Sequence, residues 1–104
     1  MRDVYSAIAD PTRRRLLELL ADAGELSLHE LTAHFGMGRT AVSKHLAVLR
    51  EAGLVDGRKV GRETRFRLNA EPLREVQAWV ADYERFWATR LERLKALVEQ
   101  EEES

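Results

Sequence analysis

Apolar residues in this chain recur at helical spacing over most of its length and alternate singly in one short stretch. The first group is brief: Val4, Tyr5 and Ile8. The second follows Asp10-Pro11, where an aspartate cap and a proline at the first helical position mark a helix start. Leu16, Leu17 and Leu20 form its stripe, and Gly24 closes it. Arg13 falls on the same stripe by spacing, which predicts a structural cation that needs a partner. Ser27-Leu28-His29-Glu30 has the spacing of a capping box, with Leu28, Leu31 and Phe35 on the inward face. Gly36-Met37-Gly38 turns the chain into a further helix whose Val42, Leu46 and Leu49 stand at i, i+4 and i+7 and share one face. Gly53 is placed to end that helix in a left-handed conformation.

The period then changes. Thr64, Phe66 and Leu68 alternate with Arg65 and Arg67, the pattern of a half-buried strand. Gly61 suits the positive φ of a tight hairpin. Glu71-Pro72 starts the longest helix, predicted to run to Glu99. Leu73, Val76, Val80, Tyr83, Trp87, Leu94 and Leu97 repeat along it at three- and four-residue steps, widened by Trp79, Phe86 and Leu91. Helix, glycine turn, helix, glycine, strand, basic tip, strand is the order of a winged helix-turn-helix. The predicted architecture is mostly α with a small β-hairpin, in one domain over residues 1–104. Within it the helix-turn-helix spans 27–52, the wing 54–68 and the long helix 71–99. A chain of 104 residues buries a limited fraction of its surface. The crowded aromatics of the last helix, Trp79, Tyr83, Phe86 and Trp87 with Leu91 and Leu94, therefore predict a partner subunit on that helix. The bland reading is that the last helix folds back on its own domain, one stripe inward.

Charge sharpens the picture. The formal net charge is only −1, yet residues 39–67 hold eight cations against three anions, a net +5, and residues 71–104 hold five against nine, a net −4. A basic patch beside an acidic remainder is the footprint of a nucleic-acid binder with a direction. On the helix that follows Gly38, the side away from the apolar stripe carries Thr40, Ser43, Lys44 and Ala47, short or cationic residues that fit a major groove. Arg39, Thr40, Ser43 and Lys44 are the expected groove contacts, and His45 packs or faces a phosphate. Arg58, Lys59, Arg62 and Arg65 are expected on the backbone or in the adjacent minor groove, with Arg62 beside Gly61 best placed for the latter.

Composition removes other classes. There is no cysteine, which excludes disulfides and thiolate metal sites and fits a reducing cytoplasm. No apolar run approaches a membrane span and the N-terminus has no signal-peptide core, so a cytoplasmic protein with no membrane partner is expected. No Gly-rich phosphate loop, cysteine nucleophile or HExxH motif supports an enzyme. Asp82 and Glu84 flank Tyr83 and point apart, as solvated carboxylates do. The three histidines, His29, His34 and His45, do not make a metal set, and no cofactor is expected.

Asp10-Pro11-Thr12-Arg13, the Ala41-Val42-Ser43-Lys44-His45-Leu46-Ala47-Val48-Leu49 helix, the junction Glu51-Ala52-Gly53-Leu54-Val55 and the Gly61-Arg62 wing together resemble the ArsR-type winged-helix repressors over nearly the whole chain. The stretch Tyr83-Glu84-Arg85-Phe86-Trp87, with Arg90, Leu91 and Leu94, is similar to a subgroup that does not sense metal. The resemblance implies a dimeric repressor on a palindromic double-stranded operator, often near its own promoter, with a homodimer formed through the N- and C-terminal helices: Val4, Tyr5 and Ile8 of the first with Trp79, Tyr83, Phe86, Trp87, Leu91 and Leu94 of the last. Metal-sensing relatives carry a Cys-x-Cys pair where this chain has Ser27 and His29, and others place ligands on a last helix that here has no histidine. Two alternatives remain at this point: a winged helix that binds protein in place of DNA, and a repressor released by a small apolar ligand framed by the aromatic helix.

Overall fold

The computed structural model describes residues 3–103. Its elements are α1 (Val4–Ile8), α2 (Pro11–Ala23), β1 (Glu25–Ser27), α3 (Leu28–Thr32), α4 (Arg39–Glu51), β2 (Val55–Val60), β3 (Glu63–Leu68) and α5 (Leu73–Glu103). The chain divides into two compact units at Arg74 and Glu75. Helices dominate, and one antiparallel sheet in the order β1-β3-β2 completes the first unit. The winged helix-turn-helix expected from the sequence is the observed fold.

Local chemistry sets the helix ends. Asp10 caps α2 by accepting from the backbone N–H groups of Thr12 at 2.8 Å and Arg13 at 3.2 Å. Burial works to raise the Asp10 pKa, but these bonds and the Arg13 cation outweigh it and hold the carboxyl below its ordinary range. Ser27 and Glu30 form a reciprocal capping box on α3, each side chain accepting from the other residue's backbone N–H at 3.1 Å. That exchange keeps the Glu30 carboxyl ionised below its ordinary range, chiefly through the Ser27 N–H. Gly53, at φ 77°, follows α4 and lets Leu54 donate back to Leu49.

The core lies between α2, α4 and the sheet. Leu16, Leu20, Leu31, Val42, Leu46, Leu49 and Leu54 are each 1 % exposed or less. These include members of both stripes read from the sequence, and burying each one fully contributes on the order of 1.5–3 kcal/mol. Phe66 closes the core from β3. Leu28 and Phe35 are only half-buried. Val4, expected at a subunit contact, is instead a core residue at 4 % exposure, while Tyr5 and Ile8 remain half-buried. It therefore has almost no surface to offer a second copy.

The wing departs from a simple hairpin. A third strand, β1, pairs with β3 in the register Glu25↔Arg67, Leu26↔Phe66 and Ser27↔Arg65. β2 and β3 pair from Val55↔Leu68 to Val60↔Glu63, leaving Gly61 and Arg62 as a two-residue turn. Gly61 has φ 64° at the first turn position, where such hairpins need a glycine. α5 runs four residues beyond the expected end, to Glu103.

Candidate nucleic-acid interface

α4 presents two chemistries on opposite sides because its apolar residues occupy one stripe. Val42, Leu46 and Leu49 are buried, whereas Arg39, Thr40, Ser43, Lys44, Ala47 and Arg50 are exposed. The exposed side offers two hydroxyls, a methyl group and three cations, with no bulky apolar side chain. Such a surface approaches base edges closely and supplies both donors and acceptors. His45 lies between the two sides, half-buried.

Strand alternation sorts the wing cations. Val55, Gly57 and Lys59 share one face of β2 with Phe66 and Thr64 of β3, the face that covers the core. Arg58 and Arg65 are cross-strand partners on the other face. There Arg58 makes a bidentate pair with Glu25, through Nε at 3.1 Å and Nη2 at 3.3 Å. Arg65 reaches Glu25 at 3.6 Å, Glu30 at 3.5 Å and Glu63 at 3.4 Å. The Arg58 hydrogen bond is the main cause that lowers the Glu25 pKa, and it raises that of Arg58 in turn. These pairs are largely solvated, so each contributes little to stability. Their larger effect is to hold two cations expected at DNA against carboxylates of their own chain.

Lys59 and Arg62 behave differently. With Arg39 from the first turn of α4, Ser27, His29 and Glu63 they line a cleft of about 420 Å³. Among the described residues neither Arg39, Lys59 nor Arg62 has an ion pair. The structure thus gathers one cation of α4 and two of the wing, and leaves Arg58 and Arg65 on the opposite face.

Arg13 finds the partners its position required. Its Nε donates to the Ala7 carbonyl at 2.6 Å and Nη2 to the Ser6 carbonyl at 3.2 Å, satisfying the C-terminal end of α1. Nη1 lies 3.3 Å from His45 Nδ1 and 3.8 Å from the Asp10 carboxylate. With the guanidinium as donor, the imidazole accepts at Nδ1 and keeps its proton on Nε2. One side chain of α2 therefore ties α1 to α4. Sequence spacing marked Arg13 as structural but gave no sign of His45, 32 positions away. Nor did it single out Glu25, which organises the outer face of the wing.

Ser27 and His29, which the resemblance set against a cysteine pair, offer no thiolate. Ser27 is 2 % exposed with its hydroxyl committed to the α3 cap, and His29 stands alone, so this donor set does not fit a soft metal.

Along α5 itself, Trp79, Tyr83, Phe86, Trp87, Leu91 and Leu94 are each 47–66 % exposed. Trp79 and Tyr83 meet edge to face at 5.5 Å. Arg90 covers the Phe86 ring at 4.6 Å, a cation–π contact. Trp79, Val80, Tyr83 and Trp87 line an apolar depression of about 300 Å³. Among the described residues no helix is long and apolar enough to cross a membrane.

Comparison with known proteins agrees with this geometry. Residues 10–56 match the model of the bacterial regulatory protein, arsR family. The chain is 30 % identical to the transcriptional repressor SdpR of Bacillus subtilis over 83 residues, which cover 80 % of this chain and 91 % of that one. It is 32 % identical to the arsenical resistance operon repressor of Escherichia coli over 96 residues, 91 % of this chain and 79 % of that one. A crystal structure of a possible transcriptional regulator for arsenical resistance superposes with a TM-score of 0.72 at 44 % identity, covering 92 % of this chain and 96 % of its own.

Proposed function

This chain belongs to the ArsR family of bacterial regulatory proteins, and from that premise we propose how it engages DNA. It is a DNA-binding transcriptional regulator of the repressor type and not an enzyme. Two copies, joined through the aromatic face of α5 with Tyr5 and Ile8 of α1 contributing, set two α4 helices into successive major grooves of a pseudo-palindromic operator. Occupation of that operator represses its own or a neighbouring promoter, in the cytoplasm. Arg39, Thr40, Ser43 and Lys44 read the groove, and Lys59 and Arg62 hold the backbone beside it. Arg58 and Arg65 reach phosphates only by leaving Glu25, and His45 keeps the reading helix fixed through Arg13.

The observation that carries this reading is the exposed, unpaired reading face of α4 beside unpaired wing cations. The half-exposed aromatics of α5 support the second copy, because an apolar strip of that kind on a chain this small is best covered by its own equivalent around a two-fold axis. Sedimentation of the full chain with a duplex taken from the DNA flanking its gene tests it. Two chains per duplex are expected. One chain per duplex overturns the dimer and leaves the DNA contact standing.

The wing contact has its own test. Arg62→Ala is expected to weaken binding to every duplex and to flatten the dependence of log K on log salt by about 0.9 for each phosphate that the variant no longer neutralises. An unchanged slope in a salt titration removes Arg62 from the interface.

A further inference from the structure

The cleft between α4 and the wing holds a fourth basic side chain, one with no part in the groove and wing contacts proposed so far. His29 is the second residue of the five-residue α3, is exposed, and lines the same cavity as Arg39, Lys59 and Arg62. Among the described residues its imidazole makes no hydrogen bond or ion pair. Thr64, on the inner face of β3 opposite Lys59, adds a hydroxyl to the wall. The charged groups around the ring are Glu30 beside it on α3, Arg39 on α4, and Lys59, Arg62 and Glu63 on the wing. Both carboxylates, Glu30 and Glu63, are held by Arg65 from the outer face at 3.4–3.5 Å. Arg65 thus engages both carboxylates, and the cleft, which Glu63 also lines, gathers three unpaired cations and an imidazole.

We propose that this cleft seats a backbone phosphodiester of the bound duplex and that the protonated ring of His29 is one of its ligands. DNA binding is then coupled to proton uptake. The inference rests on the DNA-binding reading for its occupant, but it assigns His29 a part that reading does not need. A phosphodiester stays singly ionised across the neutral range, so only the protein titrates. An imidazole ordinarily titrates near pH 6.5, within that range. An anion set against it favours the charged form, which donates from both ring nitrogens. The sign follows: bound DNA holds the proton, so affinity rises as pH falls from 8 to 6 and declines again as pH rises.

The test is duplex affinity of the full chain at pH 6 and pH 8 at constant salt, for the parent and four variants, with melting temperatures taken at both pH values. The parent is expected to bind roughly fivefold more tightly per subunit at pH 6. His29→Gln should flatten the profile, and His29→Arg should bind tightly at both pH values. His34→Gln and His45→Gln should keep the parent's slope, which separates the cleft from the other two histidines. A flat parent profile, or a His29→Gln protein that keeps the parent's slope, overturns the proposal. In that event removal of Arg39, Lys59 or Arg62 still weakens binding, so the DNA contact itself survives the failure.

Discussion

Trp87→Ala should raise the dissociation constant of the dimer roughly a thousandfold and lower operator affinity with it. Trp87 is 54 % exposed on a helix face that also bears Trp79, Tyr83, Leu91 and Leu94. Around a two-fold axis one substitution removes two tryptophans. Buried aromatic anchors of this kind cost about 2 kcal/mol or more each on truncation. Two of them amount to about 4 kcal/mol, and every 1.4 kcal/mol is a factor of ten. Sedimentation equilibrium and gel shift on the same preparation read both effects. A variant that remains dimeric at the parent's affinity moves the subunit contact away from this strip.

Arg13→Ala is expected to destabilise the first unit strongly for a polar substitution. The side chain is 14 % exposed, and its guanidinium serves the Ala7 and Ser6 carbonyls, His45 Nδ1 and the Asp10 carboxylate at once. Hydrogen bonds from a charged donor contribute about 1.5–3 kcal/mol each, and they do not add fully when they share a side chain. A net loss of about 3 kcal/mol is a reasonable sum. For a unit of this size that corresponds to a fall in melting temperature of roughly 10 °C or more. Arg13→Lys should recover less than half of it, since a single ammonium cannot span three acceptors in different directions. Hydrogen exchange should show α1 amides losing protection first, because α1 is only five residues long and its C-terminal carbonyls depend on Arg13. An unchanged melting temperature would reduce Arg13 to a surface cation.

The parts of this fold that were legible in the sequence are those encoded locally. Asp10-Pro11, the Ser27–Glu30 box, Gly53 and Gly61 each act within a few residues of themselves, and each stands where its chemistry placed it. The stripes of α2 and α4 were legible for the same reason, since helical periodicity names the buried side without reference to the rest of the chain. What escaped was non-local. β1 is three residues long, too short to show alternation, and exists only because β3 offers it an edge about forty positions later. The sorting of the wing cations escaped too. Arg58, Arg62 and Arg65 look alike in sequence, and it is Glu25, 33 positions from Arg58, together with Glu30 and Glu63 on Arg65, that distinguishes them. The same holds for His45, whose spacing put it near the groove and whose Nδ1 belongs to Arg13. Val4 was assigned outward from a five-residue apolar segment whose inward side no period could fix.

The central claim is that two copies of the chain read one duplex with two α4 helices held at a fixed separation. Hydroxyl-radical footprinting of the full chain on the DNA flanking its gene tests it most directly. Two protected windows related by two-fold symmetry, with centres roughly 34 Å or a multiple of it apart on one side of the helix, are the expected result. A single protected window, or two at a spacing out of phase with the helical turn, would contradict it.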